Sequence, residues 1–375
     1  MAALVEQLKS GLDAPICLTW ELTYACNLAC IHCLSSSGRR DPGELSTAEA
    51  KAVVDELAKL QVFYVNIGGG EPTIRPDFFE IIDYCVASGV GVKFSTNGSR
   101  IDEAAAKRLA GSDYVDIQIS LDGANRETND AVRGDGSWDM AIRAMDNLKA
   151  ANFGQFKISV VMTRHNVSQL NDFEALAAMY GAELRLTRLR PAGRGADTWD
   201  QLHPTNAQQR EIYNWIITRP NVLTGDSFFH LSALGESLPG LNLCGAGRIV
   251  CLIDPVGEVY ACPFVIHDEF RAGSVKDEGG FEKVWKQSDL FLSLREPSSP
   301  GACGSCGSYD ACQGGCMAAK FFTGLPLDGP DPECVWGNAD EELAKIAAAA
   351  AIKPIPSPDH SKPVKITLGR KPVTV

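Results

Sequence analysis

Cys26, Cys30 and Cys33 are spaced C-x3-C-x2-C directly after an apolar run. Thiolates this close can hold three irons of a [4Fe–4S] cube from one loop and leave the fourth iron for a small molecule to chelate. The same spacing also admits a zinc site, with His32 as fourth ligand, or a redox dithiol. A second group begins with Cys244 and Cys262, arranged C-x12-G-x4-C around Gly257. It continues as C-x2-C-x5-C-x3-C through Cys303, Cys306, Cys312 and Cys316, and ends at Cys334. Clusters or a pair of zinc sites would suit these intervals. Cys251 starts a β-rich run that a turn at Gly257 leads back to Cys262, so it is a candidate further ligand, with a buried core thiol as the alternative. Cys17 and Cys85 lie in strand and helix patterns and read as core.

Shorter motifs follow the first cysteines. They are Gly68-Gly69-Gly70-Glu71-Pro72, Ser95-Thr96-Asn97-Gly98 and Ser120-Leu121-Asp122-Gly123, with Arg133 in the next loop. Taken singly, a glycine triplet or an Asn-Gly pair is a turn, and Ser120 is a strand-end cap. Their order, each at the end of its own strand, resembles the radical S-adenosylmethionine (SAM) superfamily over residues 16–190. The resemblance implies that Cys26, Cys30 and Cys33 ligate a cluster whose open iron takes the amino and carboxylate groups of SAM. It implies that Gly69, Gly70 and Glu71 line that amino group, and that Ser120 and Arg133 meet the carboxylate. Ser95 and Asn97 would face the ribose, and backbone near Leu189 the adenine. His32 stands where the family usually has an aromatic residue, a place its imidazole ring largely fills. By the same resemblance, one electron entering the cluster cleaves the sulfonium C–S bond, and the 5′-deoxyadenosyl radical so formed abstracts hydrogen from an unactivated carbon.

The second cysteine group resembles the SPASM domain, which carries auxiliary clusters in peptide-modifying radical SAM enzymes. The resemblance assigns Cys244, Cys262 and Cys316 to auxiliary cluster one, and Cys303, Cys306, Cys312 and Cys334 to auxiliary cluster two. Three [4Fe–4S] clusters and SAM are therefore the expected cofactors. The segments Leu18-Thr19-Trp20-Glu21-Leu22-Thr23, Val62-Phe63-Tyr64-Val65-Asn66-Ile67 and Lys93-Phe94-Ser95-Thr96-Asn97-Gly98 are similar to those of the mycofactocin radical SAM maturases. So are 224–230, 244–264 and 317–334. That family's substrate is a ribosomal precursor peptide ending in Val-Tyr. The resemblance implies oxidative decarboxylation of the terminal tyrosine, then a carbon–carbon crosslink to the adjacent valine. Other SPASM maturases, forming pyrroloquinoline quinone-type or thioether crosslinks or activating sulfatases, are alternatives, as is a non-catalytic electron carrier or zinc adaptor. Only 25 residues precede Cys26. A separate small peptide-binding chaperone is therefore expected rather than a fused one, together with an electron donor.

These side chains need a scaffold. Apolar, β-rich runs at 16–22, 62–67, 91–95, 114–121, 157–162 and 183–189 alternate with helical patterns. One helix opens with the capping box Ser46 and Glu49 and aligns Val53, Val54, Leu57 and Leu60. The others are expected at 78–88, 103–110, 138–151 and 168–180. The fold class is therefore α/β, a partial (β/α)6 barrel with its chemistry at the strand C-terminal ends, followed by a small cysteine-rich domain. The expected division is a catalytic domain at 1–190, a bridge at 191–243 with a helix at 206–218, a SPASM domain at 244–336, and a C-terminal helix and flexible tail at 337–375. Poor helix periodicity in 244–336 suggests that ligand bonds rather than a large core hold it. Arg188, Arg190 and Arg194, at the end of the sixth strand, are candidates for holding the substrate or are simply solvated.

The chain has 375 residues, 13 cysteines, 45% hydrophobic and 22% charged residues, and a net charge of −12. The acidity argues against a general nucleic-acid binder. No secretory signal is evident in 1–12, and the longest apolar run, 346–352, is too short to span a bilayer. A cytoplasmic, non-membrane protein is expected, and in that compartment so many cysteines suit metal clusters better than disulfides.

Overall fold

Alternation along the first strand turns Leu18, Trp20 and Leu22 outward, where each is at most 1% exposed beneath the helices. Thr19 and Glu21 point the other way, to the inner wall. The same division recurs on the strands beside it and produces a sheet with an apolar outer face and a polar inner one. The computed structural model describes residues 8–348 apart from 9, 155, 225–227, 239–243 and 297–300.

The first six strands are β1 (Cys17–Thr23), β2 (Tyr64–Gly69), β3 (Gly91–Thr96), β4 (Val115–Ser120), β5 (Lys157–Met162) and β6 (Glu183–Arg188). Between and after them come α1 (Thr47–Lys59), α2 (Phe78–Ala87), α3 (Glu103–Leu109), α4 (Arg126–Arg133), α5 (Ser137–Ala150), α6 (Leu170–Tyr180), α7 (Arg194–Leu202) and α8 (Asn206–Ile216). The capping box at α1 is formed: Ser46 Oγ accepts from the Glu49 N–H at 3.3 Å, and Glu49 Oε2 accepts from the Ser46 N–H at 2.8 Å. Val53, Val54 and Leu57 are buried as the spacing required, and Leu60 is the C-cap. Two helices have only a weak apolar signature in the sequence. α4 buries only Asn129 and Val132 and is capped by the Asn125 side chain, which accepts from Thr128 N–H. α7 buries Arg194 and Thr198 against the cysteine loop.

Residues beyond 244 supply β7 (Val250–Ile253), β8 (Glu258–Tyr260) and β9 (Arg271–Ser274). The nine strands form one open sheet in the order β6-β5-β4-β3-β2-β1-β7-β8-β9. Pairing is parallel from β6 through β1 to β7, then antiparallel through the β7–β8 hairpin to β9. The hairpin turns at Gly257, whose φ of +92° lies in the region that favours glycine. Asp254 Oδ1 fastens the turn by accepting from the N–H groups of Val256 and Glu258.

The expectation that ligand bonds alone hold the cysteine-rich region is corrected here. α9 (Gly280–Gln287) and α10 (Asp289–Arg295) bury Phe281, Trp285 and Phe291 completely, in the same apolar core as Leu18 and Trp20. Three aromatic side chains at short intervals made that core without a long helical period. The chain then passes through α11 (Tyr309–Cys312), α12 (Met317–Thr323) and α13 (Asp340–Ala348). The expected C-terminal helix reached 352; its last residues, the tail after it and much of 1–12 and 224–230 lie outside the described residues. No helix among the described residues is long and apolar enough to cross a membrane.

Candidate metal centres

The loop after β1 is braced from both sides. Beneath it, Glu44 Oε1 accepts from Thr23 Oγ1 at 2.7 Å and from the Tyr24 N–H at 3.0 Å. Above it, Arg194 donates from Nε to Cys30 O at 2.8 Å and from Nη1 to Ser37 O at 2.9 Å. The Arg194 N–H also reaches Cys33 O at 2.9 Å. Arg194 is therefore a buried strut of the loop, neither solvated nor facing a substrate. Cys26, Cys30 and Cys33 lie within electrostatic reach of one another. Burial pushes the Cys26 thiol far up, and the neighbouring Cys30 and Cys33 add to it. Burial pushes the Cys30 thiol up to about 11, with Arg133 pulling against it. Thiols in this state carry their protons until a metal cation reverses the balance.

His32 is engaged by a carboxylate through one ring nitrogen. Its Nε2 lies 2.8 Å from Asp122 Oδ2, and Arg133 Nε lies 2.6 Å from the same oxygen. Both contacts place a nitrogen at ion-pair distance from one carboxylate oxygen. Asp122 Oδ1 accepts from Val161 N–H at 2.7 Å. Burial alone would raise the Asp122 carboxyl, but Arg133 and His32 hold it well below the usual carboxylate range. Asp122 thus fixes both His32, in the cysteine loop, and Arg133, at the end of α4. Sequence reasoning quoted Asp122 within a motif but gave it no role, because its partners are far away in the chain.

The glycine motif meets the loop through its backbone. Gly70 N–H donates to Thr23 O and Glu71 N–H to Ala25 O, at 2.7 and 2.8 Å. A Cβ on Gly70 would stand 2.0 Å from Ala25 O, so no larger residue fits. The Glu71 carboxylate is spent on the scaffold: it accepts from Thr73 and from Thr96 Oγ1 at 2.8 Å, and from Asn97 N–H at 2.7 Å. Asn97 Nδ2 in turn donates to Asn27 Oδ1 within the cysteine loop. Gln118 Nε2 donates to Ser95 Oγ. Ser120 pairs with Ser159 at the end of β4, and Leu189 is buried beside Ile31 and Val132. The residues expected around SAM therefore lie at the ends of β2, β3, β4 and β6 or in the turns that follow them, except Arg133, which was expected in a loop and instead ends helix α4. The inner wall also carries Glu21 Oε2, Asn66 Oδ1 and Gln118 Oε1, buried acceptors that lack a partner among the described residues. No sequence motif marks them.

The second group of cysteines sorts into two cavities. One is lined by Cys303, Cys306, Cys312 and Cys334. The other is lined by Cys244, Cys262 and Cys316. The interleaved assignment thus corresponds to two places in space. Cys251 does not join either set. It pairs with Leu18 in the β1–β7 register and shares that residue's outward face, fully buried in the apolar core. The hairpin expected to carry it to Cys262 does form, but strand alternation aims its side chain away. Cys251→Ala is accordingly expected to cost roughly 1 kcal/mol of stability, the scale of one buried heavy group. It should leave iron content and the spectra of every cluster unchanged; an altered auxiliary signal would restore Cys251 as a ligand.

Arg188 and Arg190 are engaged as well. Arg188, at the end of β6, makes two hydrogen bonds to Asp331, one of 2.8 Å and one of 2.5 Å, and a third to Glu333. Arg190 stacks its guanidinium 3.3 Å from the centre of the Phe264 ring and lines the cavity of Cys244, Cys262 and Cys316.

Comparison with known proteins agrees with this arrangement. The model of the Radical SAM superfamily matches residues 20–177, and that of the iron-sulfur cluster-binding domain SPASM matches 244–307. The chain is 65% identical over 378 residues to the mycofactocin maturase of Mycobacterium tuberculosis, covering 98% of this chain and 96% of that one. It is 67% identical to the mycofactocin maturase of Mycolicibacterium smegmatis, covering 98% and 95%. The chain belongs to the mycofactocin maturase family.

As a mycofactocin maturase family member it is a radical SAM enzyme, which sets aside the non-catalytic carrier and the zinc adaptor. The fold is shared with SuiB of Streptococcus suis, solved bound to S-adenosylmethionine, at a TM-score of 0.70 and 19% identity over 86% of this chain and 78% of that one. Membership implies [4Fe–4S] clusters and SAM, and the residues present fit them. Three thiols share one loop, a glycine cradle leaves no room for a Cβ, and seven thiols line two cavities.

Proposed function

We propose that this enzyme matures a ribosomal precursor peptide ending in Val-Tyr, by oxidative decarboxylation of the terminal tyrosine and then carbon–carbon crosslinking to the valine. Membership of the mycofactocin maturase family carries the reading, and the sorting of ten cysteines into one loop and two cavities supports three [4Fe–4S] clusters. When bound and reduced, the first cluster with SAM supplies a 5′-deoxyadenosyl radical that can take hydrogen from an unactivated carbon.

The chain's own residues prepare the site for that chemistry. Cys26, Cys30 and Cys33 hold three irons and leave one for SAM. Gly69 and Gly70 let backbone approach the SAM amino group, while the Glu71 carboxylate holds Asn97 and the β3 turn in place. Asp122 fixes Arg133, which with Ser120 meets the SAM carboxylate. Ser95 and Asn97 take the ribose, and backbone at Leu189 the adenine. Cys244, Cys262 and Cys316 hold auxiliary cluster one, and Cys303, Cys306, Cys312 and Cys334 hold auxiliary cluster two. Cys251 remains a core residue. The catalytic unit at 1–190 and the auxiliary unit at 244–336 are functional divisions of one shared sheet, joined by the bridge at 191–243. A separate small peptide-binding chaperone presents the substrate, and an electron donor reduces the clusters in the cytoplasm.

Two measurements test this reading. Anaerobic reconstitution should give about twelve irons per chain, four for each cube. A value near four, with bound zinc, would overturn the auxiliary assignment. Incubation with SAM, dithionite, the binding protein and the peptide should then give a product that has lost carbon dioxide and two hydrogens from its terminal tyrosine. A peptide recovered unchanged, although SAM is cleaved, would overturn the substrate.

A further inference from the structure

Lys320 is a buried cation in an unusual place. It is 5% exposed, one turn into α12 from Cys316, whose carbonyl accepts the Lys320 N–H at 3.1 Å. The side chain runs inward, and Nζ donates to Gly329 O at 3.2 Å. A Cβ on Gly314, which lines the cavity of Cys303, Cys306, Cys312 and Cys334, would stand 3.6 Å from that nitrogen. Gly314 stands two residues from Cys312 of one auxiliary set and two from Cys316 of the other, so the ammonium sits against the turn that joins ligands of both.

Its charge has no carboxylate partner within salt-bridge distance among the described residues; a carbonyl is its only recorded acceptor. The nearby Arg188, by contrast, is matched by both Asp331 and Glu333. A buried ammonium without an anion is costly and does not persist unless something compensates it.

Resting on the assignment of both sets as cluster ligands, we infer that Lys320 is the shared counter-ion of the two auxiliary clusters and sets their reduction potentials together. A cluster ligated by thiolates is an anion and gains a further negative charge on reduction. A fixed cation beside it stabilises the reduced form more than the oxidised form and so raises the potential. Because the group is buried, salt screens the effect little. One ammonium between two clusters moves both potentials in the same direction, which makes both better acceptors for an electron leaving the substrate.

The test is a potentiometric titration of the reconstituted full-length enzyme followed by electron paramagnetic resonance. SAM is added to identify the signal of the cluster with an open iron, and the other two are read. Lys320→Met should lower both auxiliary midpoints, and Lys320→Arg should restore them at least in part. Lys320→Gln removes the charge in a polar side chain and serves if the methionine variant fails to load iron. A tie to the Gly329 turn alone would leave the potentials in place once the clusters are loaded. Unchanged midpoints at full iron content, or a shift in only one cluster, would overturn the shared counter-ion. Low iron with zinc in the parent enzyme would instead overturn the cluster assignment on which it rests.

Discussion

Replacing Cys26, Cys30 and Cys33 together by alanine is expected to abolish SAM cleavage while most of the auxiliary cluster absorbance persists. The loop they occupy is fastened mainly by backbone and by Glu44 and Arg194, while the thiols add only weak sulfur hydrogen bonds with Leu28, Arg133 and Ser35. Removing the sulfurs therefore removes ligands without removing the struts. The two auxiliary cavities are lined by other cysteines and share no ligand with the loop. Iron should fall by about one third, from roughly twelve to roughly eight per chain. Formation of 5′-deoxyadenosine under dithionite, followed by chromatography, should drop to background. The loss is total in principle, because no other set of the three has a loop that leaves an iron open beside the glycine cradle. If the triple variant still forms 5′-deoxyadenosine, SAM is cleaved elsewhere and the assignment of this loop fails.

The strands and most helices were legible in the sequence because their signals are local. Alternation in 17–23 and the capping box at Ser46 each operate within a few residues, and both appear where the pattern places them. The interleaved cysteine sets came from a resemblance; spacing alone left zinc open. What stayed hidden depends on partners far apart in the chain. Asp122 gathers His32 from the cysteine loop and Arg133 from the end of α4, and Asp331 meets Arg188 across more than a hundred residues. Arg188 and Arg194 read as substrate-holding or solvated charges because nothing adjacent in sequence announces a carboxylate or a set of carbonyls to receive them. Cys251 shows the opposite failure. Its spacing allowed a ligand, and only the register with Leu18 showed which way it points. Phe281, Trp285 and Phe291 likewise form a core that no long helical period predicts.

Arg188→Ala is expected to destabilise the reconstituted enzyme by about 3–5 kcal/mol near neutral pH, the range for removing one partner of a buried ion pair. Its side chain is 1% exposed and those of Asp331 and Glu333 are 3% exposed, so water does not compensate. Asp331 is more than a partner of Arg188: its Oδ2 accepts from the Cys316 N–H at 2.7 Å, and its Oδ1 from the Glu333 N–H at 2.9 Å. Loss of the guanidinium therefore leaves two buried carboxyls unneutralised between ligands of both auxiliary sets. The pH dependence follows from signs. Burial would raise the Asp331 carboxyl, but Arg188 holds it well below the usual range. A carboxyl depressed in this way contributes stability above its unfolded value of about 3.9, and that contribution is lost as the pH falls through the folded value. Glu333 is the surplus carboxyl of the trio. Burial pushes it up to about 7 even though Arg188 works against the rise. In the variant both carboxyls are raised, so they can be buried neutral in acid and must ionise or stay protonated at a growing cost as the pH rises. Denaturant midpoints measured at pH 5.5 and pH 8 should thus show a deficit that grows with pH, and Arg188→Ala combined with Asp331→Asn should recover part of it at pH 8. A deficit below about 1 kcal/mol, within the range of exposed pairs, or one that is the same at both pH values, would mean that the trio is solvated and that β6 is not tied to the auxiliary cysteines through charge.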